Sequence, residues 1–310
     1  MTIRPAIRRV MCRPLVGVAV CVFVSLACCV LSYTRARAQT FRARVDTVQV
    51  AVVVTDANGR LIAGLAKEDF EIFEDGVLQP LTVFTNERVP ISLGMLLDAS
   101  DSMRGQRMAD ARGAVDRFVT ALLERGDEAF LAAFNHQPRL VAPWTRPPSL
   151  LEGELGGVLP SGGTALYDSL VTSAAYYAQR LHQRAALVVV SDGVDTASDW
   201  TLRQTREVLQ RADPLVYAIA IDSADTPIAR RVSVEALREI TATSGGYTEV
   251  VKGSADLGPA TARIADELNK QYTLGYVPMK PLDGQWRGIR VRVKNGEYFT
   301  RARRGYYAAR

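Results

Sequence analysis

Beyond residue 29 the chain has no cysteine, because all four (Cys12, Cys21, Cys28 and Cys29) stand near the N-terminus. Disulfides, thiolate metal sites and cysteine nucleophiles are therefore excluded from everything that follows. Histidine is nearly as scarce: His136 reads as a turn residue after a strand, His182 as a helix-end residue, and neither has a ligand-spaced partner. There is no Gly-x-Ser-x-Gly elbow and no phosphate-binding Gly-rich Lys motif. The usual signatures of ester hydrolysis and nucleotide binding are thus missing.

A basic excess is lacking too, once the charges are located. The whole chain carries 38 basic and 33 acidic residues, but six of the arginines and none of the acids fall within residues 1–38. The remainder holds 32 basic against 33 acidic residues, a net charge of −1, which removes any composition argument for a nucleic-acid partner. A local cluster at Arg301, Arg303 and Arg304 reads as a solvated strand edge.

What is present begins with Arg4, Arg8, Arg9 and Arg13, then the apolar run Leu15 to Leu31, then Ala36-Arg37-Ala38. Charged, apolar and small-x-small regions in that order predict a secretory signal cleaved after Ala38, with an uncleaved membrane anchor as the alternative. Either places the rest of the chain outside the cytoplasm: in the periplasm, in the cell envelope, or secreted.

Residues 39–88 read as a small β module. Val48 to Thr55, Phe70 to Phe73 and Leu81 to Phe84 are strand runs, punctuated by Asp56-Ala57-Asn58-Gly59 and Glu74-Asp75-Gly76. From residue 89 to 271 the rhythm alternates between strand and helix. Ile91 to Leu97, Glu128 to Phe134, Ala185 to Val190, Leu215 to Ile221 and Tyr247 to Val251 read as strands. Met108, Ala111, Val115, Phe118 and Leu122 recur at the spacing of one helical face. Further helices are expected up to about Leu181, over Thr201 to Arg211, over Val234 to Thr243 and over Leu257 to Asn269, with a Pro/Gly-rich loop from Pro143 to Gly163. This alternation predicts an α/β domain: a doubly wound, Rossmann-like, mostly parallel sheet with helices on both faces. Residues 272–310 return to β character and are expected to join the N-terminal module in a small β-sandwich.

Three segments carry the chemistry. Asp98-Ala99-Ser100-Asp101-Ser102 ends the first strand of the α/β domain, Ser161-Gly162-Gly163-Thr164 precedes a helix, and Ser191-Asp192-Gly193 ends another strand. In an open α/β sheet ligands bind beyond the carboxyl ends of the strands, where these segments converge if the strand order is the usual one. They offer two carboxylates (Asp98, Asp192) and three hydroxyls (Ser100, Ser102, Thr164) without nitrogen or sulfur, a hard donor set suited to Mg²⁺, Mn²⁺ or Ca²⁺. Taken alone, the first segment could equally cap the helix that follows. Capping explains neither Thr164 nor Asp192.

The pattern resembles the metal-ion-dependent adhesion site of von Willebrand factor type A domains: Asp-x-Ser-x-Ser, a Thr in a second loop, an Asp in a third. All five positions are filled, by Asp98, Ser100, Ser102, Thr164 and Asp192. The resemblance covers about residues 90–272, and the flanking β segments, ending in Tyr272-Thr273-Leu274-Gly275-Tyr276, look like those of exported type A proteins of acidobacteria. It implies a binding module without catalysis, holding one Mg²⁺, Mn²⁺ or Ca²⁺ with an open position for an Asp or Glu carboxylate of a protein partner. Two alternatives stand beside it. One is a cell-envelope scaffold whose ion is merely structural; the other is a Mg²⁺-dependent phosphatase-like hydrolase, disfavoured because Ser100 occupies the position where that chemistry wants a second acid. Trp144, among Pro143, Pro147 and Pro148, reads either as a partner-binding rim or as the residue that packs its loop down.

Overall fold

The strongest elements form where apolar residues run without interruption. In the computed structural model, which describes residues 47–193, 195–221, 232–294 and 296–308, these runs become a six-stranded central sheet. The segment read as an export signal lies outside the described residues. Among the described residues no helix is long and apolar enough to cross a membrane.

Four strands precede the central sheet: β1 (Val48–Thr55), β2 (Phe70–Glu74), β3 (Val77–Gln79) and β4 (Leu81–Thr85). The central strands are β5 (Ser92–Asp98), β6 (Glu128–Phe134), β7 (Pro138–Thr145), β8 (Ala185–Ser191), β9 (Leu215–Ile221) and β10 (Thr248–Val251). Four more follow: β11 (Tyr272–Tyr276), β12 (Trp286–Val293), β13 (Phe299–Ala302) and β14 (Gly305–Tyr307). The helices are α1 (Gln106–Arg117), α2 (Leu166–Tyr176), α3 (Leu202–Ala212), α4 (Val232–Ser244) and α5 (Ser254–Asn269).

The central order is β10-β9-β8-β5-β6-β7, with every neighbour parallel except β7, which runs antiparallel to β6. From β5 the chain moves to β6 on one side and later returns to β8 on the other, so the connections diverge beyond the carboxyl ends of β5 and β8. That divergence opens a crevice. Both faces are covered: Met108, Ala111 and Val115 of α1 share one apolar cluster with Leu257 and Ile264 of α5. Leu166 and Leu170 of α2, Leu209 of α3, and Leu237 and Ile240 of α4 form the other. Such double coverage explains why β5, β6, β8 and β9 are buried along their whole length and why their sequences are continuously apolar rather than alternating.

Two local differences from the sequence reading have physical causes. Residues 138–145, partly assigned to a loop, form the edge strand β7; prolines at 138 and 143 mask a strand that only an edge position tolerates, and its pairing with β6 shifts register. The helix through Met108 and Val115 ends at Arg117 and continues as a turn of π helix over Phe118–Leu122, which keeps Phe118 and Leu122 in the core.

The strands before and after the α/β segment pair with one another. β1 lies between β11 and β13, and β11 pairs β4; β12 lies between β2 and β14, with β3 beyond β2. Val50, Val52, Ile72, Leu274 and Val291 meet in the core between these two antiparallel sheets. One polar network sits inside that core. Glu74 on β2 accepts hydrogen bonds from the Tyr276 hydroxyl (2.7 Å) and the Tyr306 hydroxyl (2.9 Å), and pairs with Arg287 on β12. Arg287 also donates to the Lys280 carbonyl (3.1 Å). Glu74 and Arg287 expose only 1% and 2% of their surface, and Glu74 depends on Arg287 for charge compensation, while Arg287 also reaches Asp283 at 3.3 Å.

Removing Arg287 therefore strands Glu74. Arg287→Met is expected to lower the unfolding free energy in urea by about 3–5 kcal/mol. Arg292→Met, which breaks the more exposed pair from β12 to Glu71 on β2, should cost no more than about 1 kcal/mol.

Candidate metal site at the crest of the sheet

Asp98 is the last residue of β5 and is fully buried, as is Ser191 at the end of the neighbouring β8. The Ser191 hydroxyl donates to Asp98 Oδ2 at 2.6 Å, and the Ser100 amide donates to Asp98 Oδ1 at 2.8 Å. Burial pushes the Asp98 carboxyl up to about 6, against the lowering effect of these hydrogen bonds, and the negative charge of Asp192 pushes it the same way. The anion is thus short of positive charge where it stands.

The first loop folds back over this carboxylate. Ser100 and Ser102 place their hydroxyls 2.9 Å apart on one side of it, with Ser100 itself buried. The capping alternative fails on geometry: α1 starts after Gly105 with no side-chain cap, and the short 3-10 turn Asp101–Met103 is likewise uncapped by Ser100. The hydroxyls are therefore not spent on helix ends.

The second loop is tied to the first by main-chain bonds. Asp101 N–H donates to the Gly162 carbonyl (3.0 Å), and Ser161 N–H to the Ala99 carbonyl (2.8 Å). Gly162 sits at φ +74°, and a Cβ there would stand 3.0 Å from His136 Nδ1, so a side chain would be both strained and crowded. Thr164, two residues on, is buried, and Thr196 and Ala197 grip its backbone: its amide donates to the Thr196 hydroxyl at 2.9 Å, while its carbonyl accepts from the Thr196 and Ala197 amides.

The third segment follows β8. Gly193 N–H donates to Ser191 Oγ at 2.8 Å, which turns the chain sharply after Asp192. Asp192 Oδ2 lies 4.0 Å from Arg107 Nη1, and the same guanidinium nitrogen donates to the Ser102 carbonyl at 2.7 Å. Arg107 is absent from the sequence reading, and Ser191 appears there only as the neighbour of Asp192, with no role of its own. Ser191 had a signal, being adjacent to Asp192 at a strand end, whereas Arg107 joins the site only because Gly105 starts the helix where it does.

Of the five residues read from the sequence, Asp98, Ser100 and Ser102 share direct hydrogen bonds. Asp192 adjoins them through Ser191 and Arg107, and Thr164 lies in the loop bonded to theirs. Among the described residues no group of three or more His, Cys, Asp or Glu side chains is arranged as a metal cage. The two carboxylates plus hydroxyls do fit a hard divalent cation that is held partly by neutral oxygen, and the unmet charge at Asp98 is what such a cation would offset.

Residues 93–194 match the family model described as the von Willebrand factor type A domain. No curated protein sequence matches the chain. Among solved structures it is similar to a von Willebrand factor type A protein from Catenulispora acidiphila, at 14% identity over 84% of this chain and 72% of that one, with a TM-score of 0.51. The PilB minor pilin from Streptococcus sanguinis is similar at 13% identity over 60% of this chain and 63% of that one, with a TM-score of 0.50. Proximal thread matrix protein 1 from the mussel byssus follows at 14% identity over 68% and 51%, also with a TM-score of 0.50. At these identities the likeness establishes the fold alone: the α/β part of the chain folds like a type A domain.

Ser191→Ala leaves a buried carboxylate oxygen without its donor. In EDTA it is expected to lower stability by about 1–3 kcal/mol in urea denaturation. Ser161→Ala, on the exposed side of the second loop, should stay within about 0.5 kcal/mol.

Proposed function

We propose that this crest holds one divalent cation, Mg²⁺, Mn²⁺ or Ca²⁺, and that the protein uses it to bind a carboxylate of a protein partner outside the cytoplasm, without catalysing a reaction. The observation that supports the reading is a buried carboxylate whose charge is not fully met, bonded to the Ser100 and Ser191 segments with Asp192 nearby and the Thr164 loop tied to the first loop by its backbone, at the point where the sheet's connections diverge. Asp98, Ser100, Ser102, Thr164 and Asp192 are the residues that would hold the ion, Asp98 and Asp192 directly or through water. The bound cation would supply an electrophilic position open to an Asp or Glu side chain.

The chain's own residues prepare that position. Ser191 and the Ser100 amide fix the Asp98 carboxylate, so it pays no reorganisation on meeting a cation. The hydroxyls of Ser100, Ser102 and Thr164 would contribute oxygen without charge, so two carboxylates against a divalent ion would leave a nearly neutral site, with the ion still electrophilic enough to take a further carboxylate. Arg107, beside Asp192, adds positive character to the rim of the crevice. A fold shared with a minor pilin and with a byssus thread protein accords with a role in adhesion or assembly. A phosphatase-like reading lacks its general acid, since Ser100 stands at that position.

The thermal midpoint of the chain should rise when EDTA is replaced by excess Mg²⁺, Mn²⁺ or Ca²⁺, with about 2.7 kcal/mol of added stability at about 100 times the dissociation constant. Asp98→Ala should abolish that rise. Thr164→Ala should weaken partner capture while leaving the metal-free midpoint in place; a large fall in the metal-loaded midpoint with partner capture retained would favour a structural ion instead.

A further inference from the structure

The arginine-rich C-terminal segment does not form a simple solvated edge. A groove of about 590 Å³ lies between the start of β10 and the β12–β14 region, lined by five arginines (Arg238, Arg290, Arg301, Arg303 and Arg304) and by no acidic residue. Two of the five are committed within the fold. Arg301 pairs with the buried Glu267, donates from Nε to the Gly245 carbonyl (3.0 Å) and lies over the Tyr247 ring; Arg303 pairs with Asp213. Arg238 reaches Glu235 only at 3.5 Å, with both side chains more than half exposed. Arg290 rests on the Phe73 ring, and among the described residues neither Arg290 nor Arg304 meets a carboxylate. Both are exposed, so the open side of the groove is positive and uncompensated.

The groove also runs along strand edges. Consecutive residues line it: Gly246, Tyr247 and Thr248 leading into β10, and Thr300, Arg301 and Ala302 of β13. Successive side chains on a strand point to opposite faces, so three in a row are met only by something lying along the edge. β10 is the last strand of the central sheet and β13 the last of its antiparallel sheet, so each has an unpaired side. Part of the facing β12 edge is already used, since Thr300 Oγ1 donates to the Val291 carbonyl and Ile289 N–H to the Arg304 carbonyl. Along β13, Gly245 packs against the Ala302–Arg303 backbone, so the part left to pair is the exposed start of the strand from Phe299 to Arg301.

We propose that this groove is a second docking site, independent of the metal crest, which takes an extended acidic segment of a partner protein as an added strand on β13. Main-chain pairing would supply affinity, and carboxylates meeting Arg238, Arg290 and Arg304 would select sequence. The occupant is not the chain's own N-terminal stretch, whose Arg35, Arg37, Arg42 and Arg44 would repel the groove.

The test is fluorescence anisotropy of the full chain in EDTA with a fluorescein-labelled peptide of about eight alternating Glu and Val residues. Three comparisons are expected to weaken binding by roughly tenfold: a Gln-for-Glu peptide, a peptide N-methylated along one edge, and the double variant Arg290→Glu/Arg304→Glu, checked for an unchanged thermal midpoint. Asp98→Ala should bind the peptide like the parent, so a failure of the metal reading leaves this result intact. Absence of binding, equal binding of the Gln peptide, indifference to the charge reversal, or indifference to N-methylation would each overturn the proposal. So would binding of polygalacturonate in place of the peptide.

Discussion

A carboxylate with no solvent contact, at the end of the central strand, is the constraint around which the functional face is arranged. Burying an anion costs free energy unless its oxygens are bonded and its charge offset. Asp98 has the bonds, from Ser191 and the Ser100 amide, but its carboxyl is still pushed up to about 6, so its charge is not fully met. The three loops follow from this need. The first folds back to bring Ser100 and Ser102 over the carboxylate, the second is bonded to the first by its backbone, and the third sets Asp192 beside them with Arg107 behind. A site so built would need little rearrangement to accept the proposed cation.

The antiparallel sheets obey a comparable rule in a different material. Glu74, from the N-terminal strands, is satisfied by Tyr276, Arg287 and Tyr306, all from the C-terminal strands. A residue that can be compensated only by partners some two hundred positions away ties the two ends of the chain into one structure. Residues 46–310 accordingly form one compact unit. The arginines of the C-terminal strands extend this linkage: Arg303 reaches Asp213 after α3, and Arg301 reaches Glu267 in α5.

The central sheet was legible because strands buried on both faces are written as unbroken apolar runs, and Leu215 to Ile221 gave β9 to the residue. β7 was not, since an edge strand containing Pro138 and Pro143 has the composition of a loop and gains its identity only from pairing with β6. That the Asp-x-Ser-x-Ser segment is more than a helix cap was legible, because capping left Thr164 and Asp192 unexplained, and neither helix that follows takes a side-chain cap from it. Arg107 was not, because its place depends on where a glycine ends one turn and a helix begins. Trp144 took the plainer of its two readings: its indole N–H donates to the Tyr176 carbonyl (3.0 Å) and its ring packs edge-on against Phe130. The arginines at 301 and 303 misled for a related reason, since their acidic partners, Glu267 and Asp213, lie far away in sequence.

The most direct measurement is a titration of the chain with Mn²⁺, followed by electron paramagnetic resonance of the free ion and by the relaxation of bulk water protons. The account predicts one site per chain, lost in Asp98→Ala, with enhanced water relaxation that falls when a carboxylate such as acetate is added, because exchangeable water on an open position is displaced. No saturable binding, or a bound ion that leaves water relaxation unenhanced and indifferent to carboxylate, would contradict it.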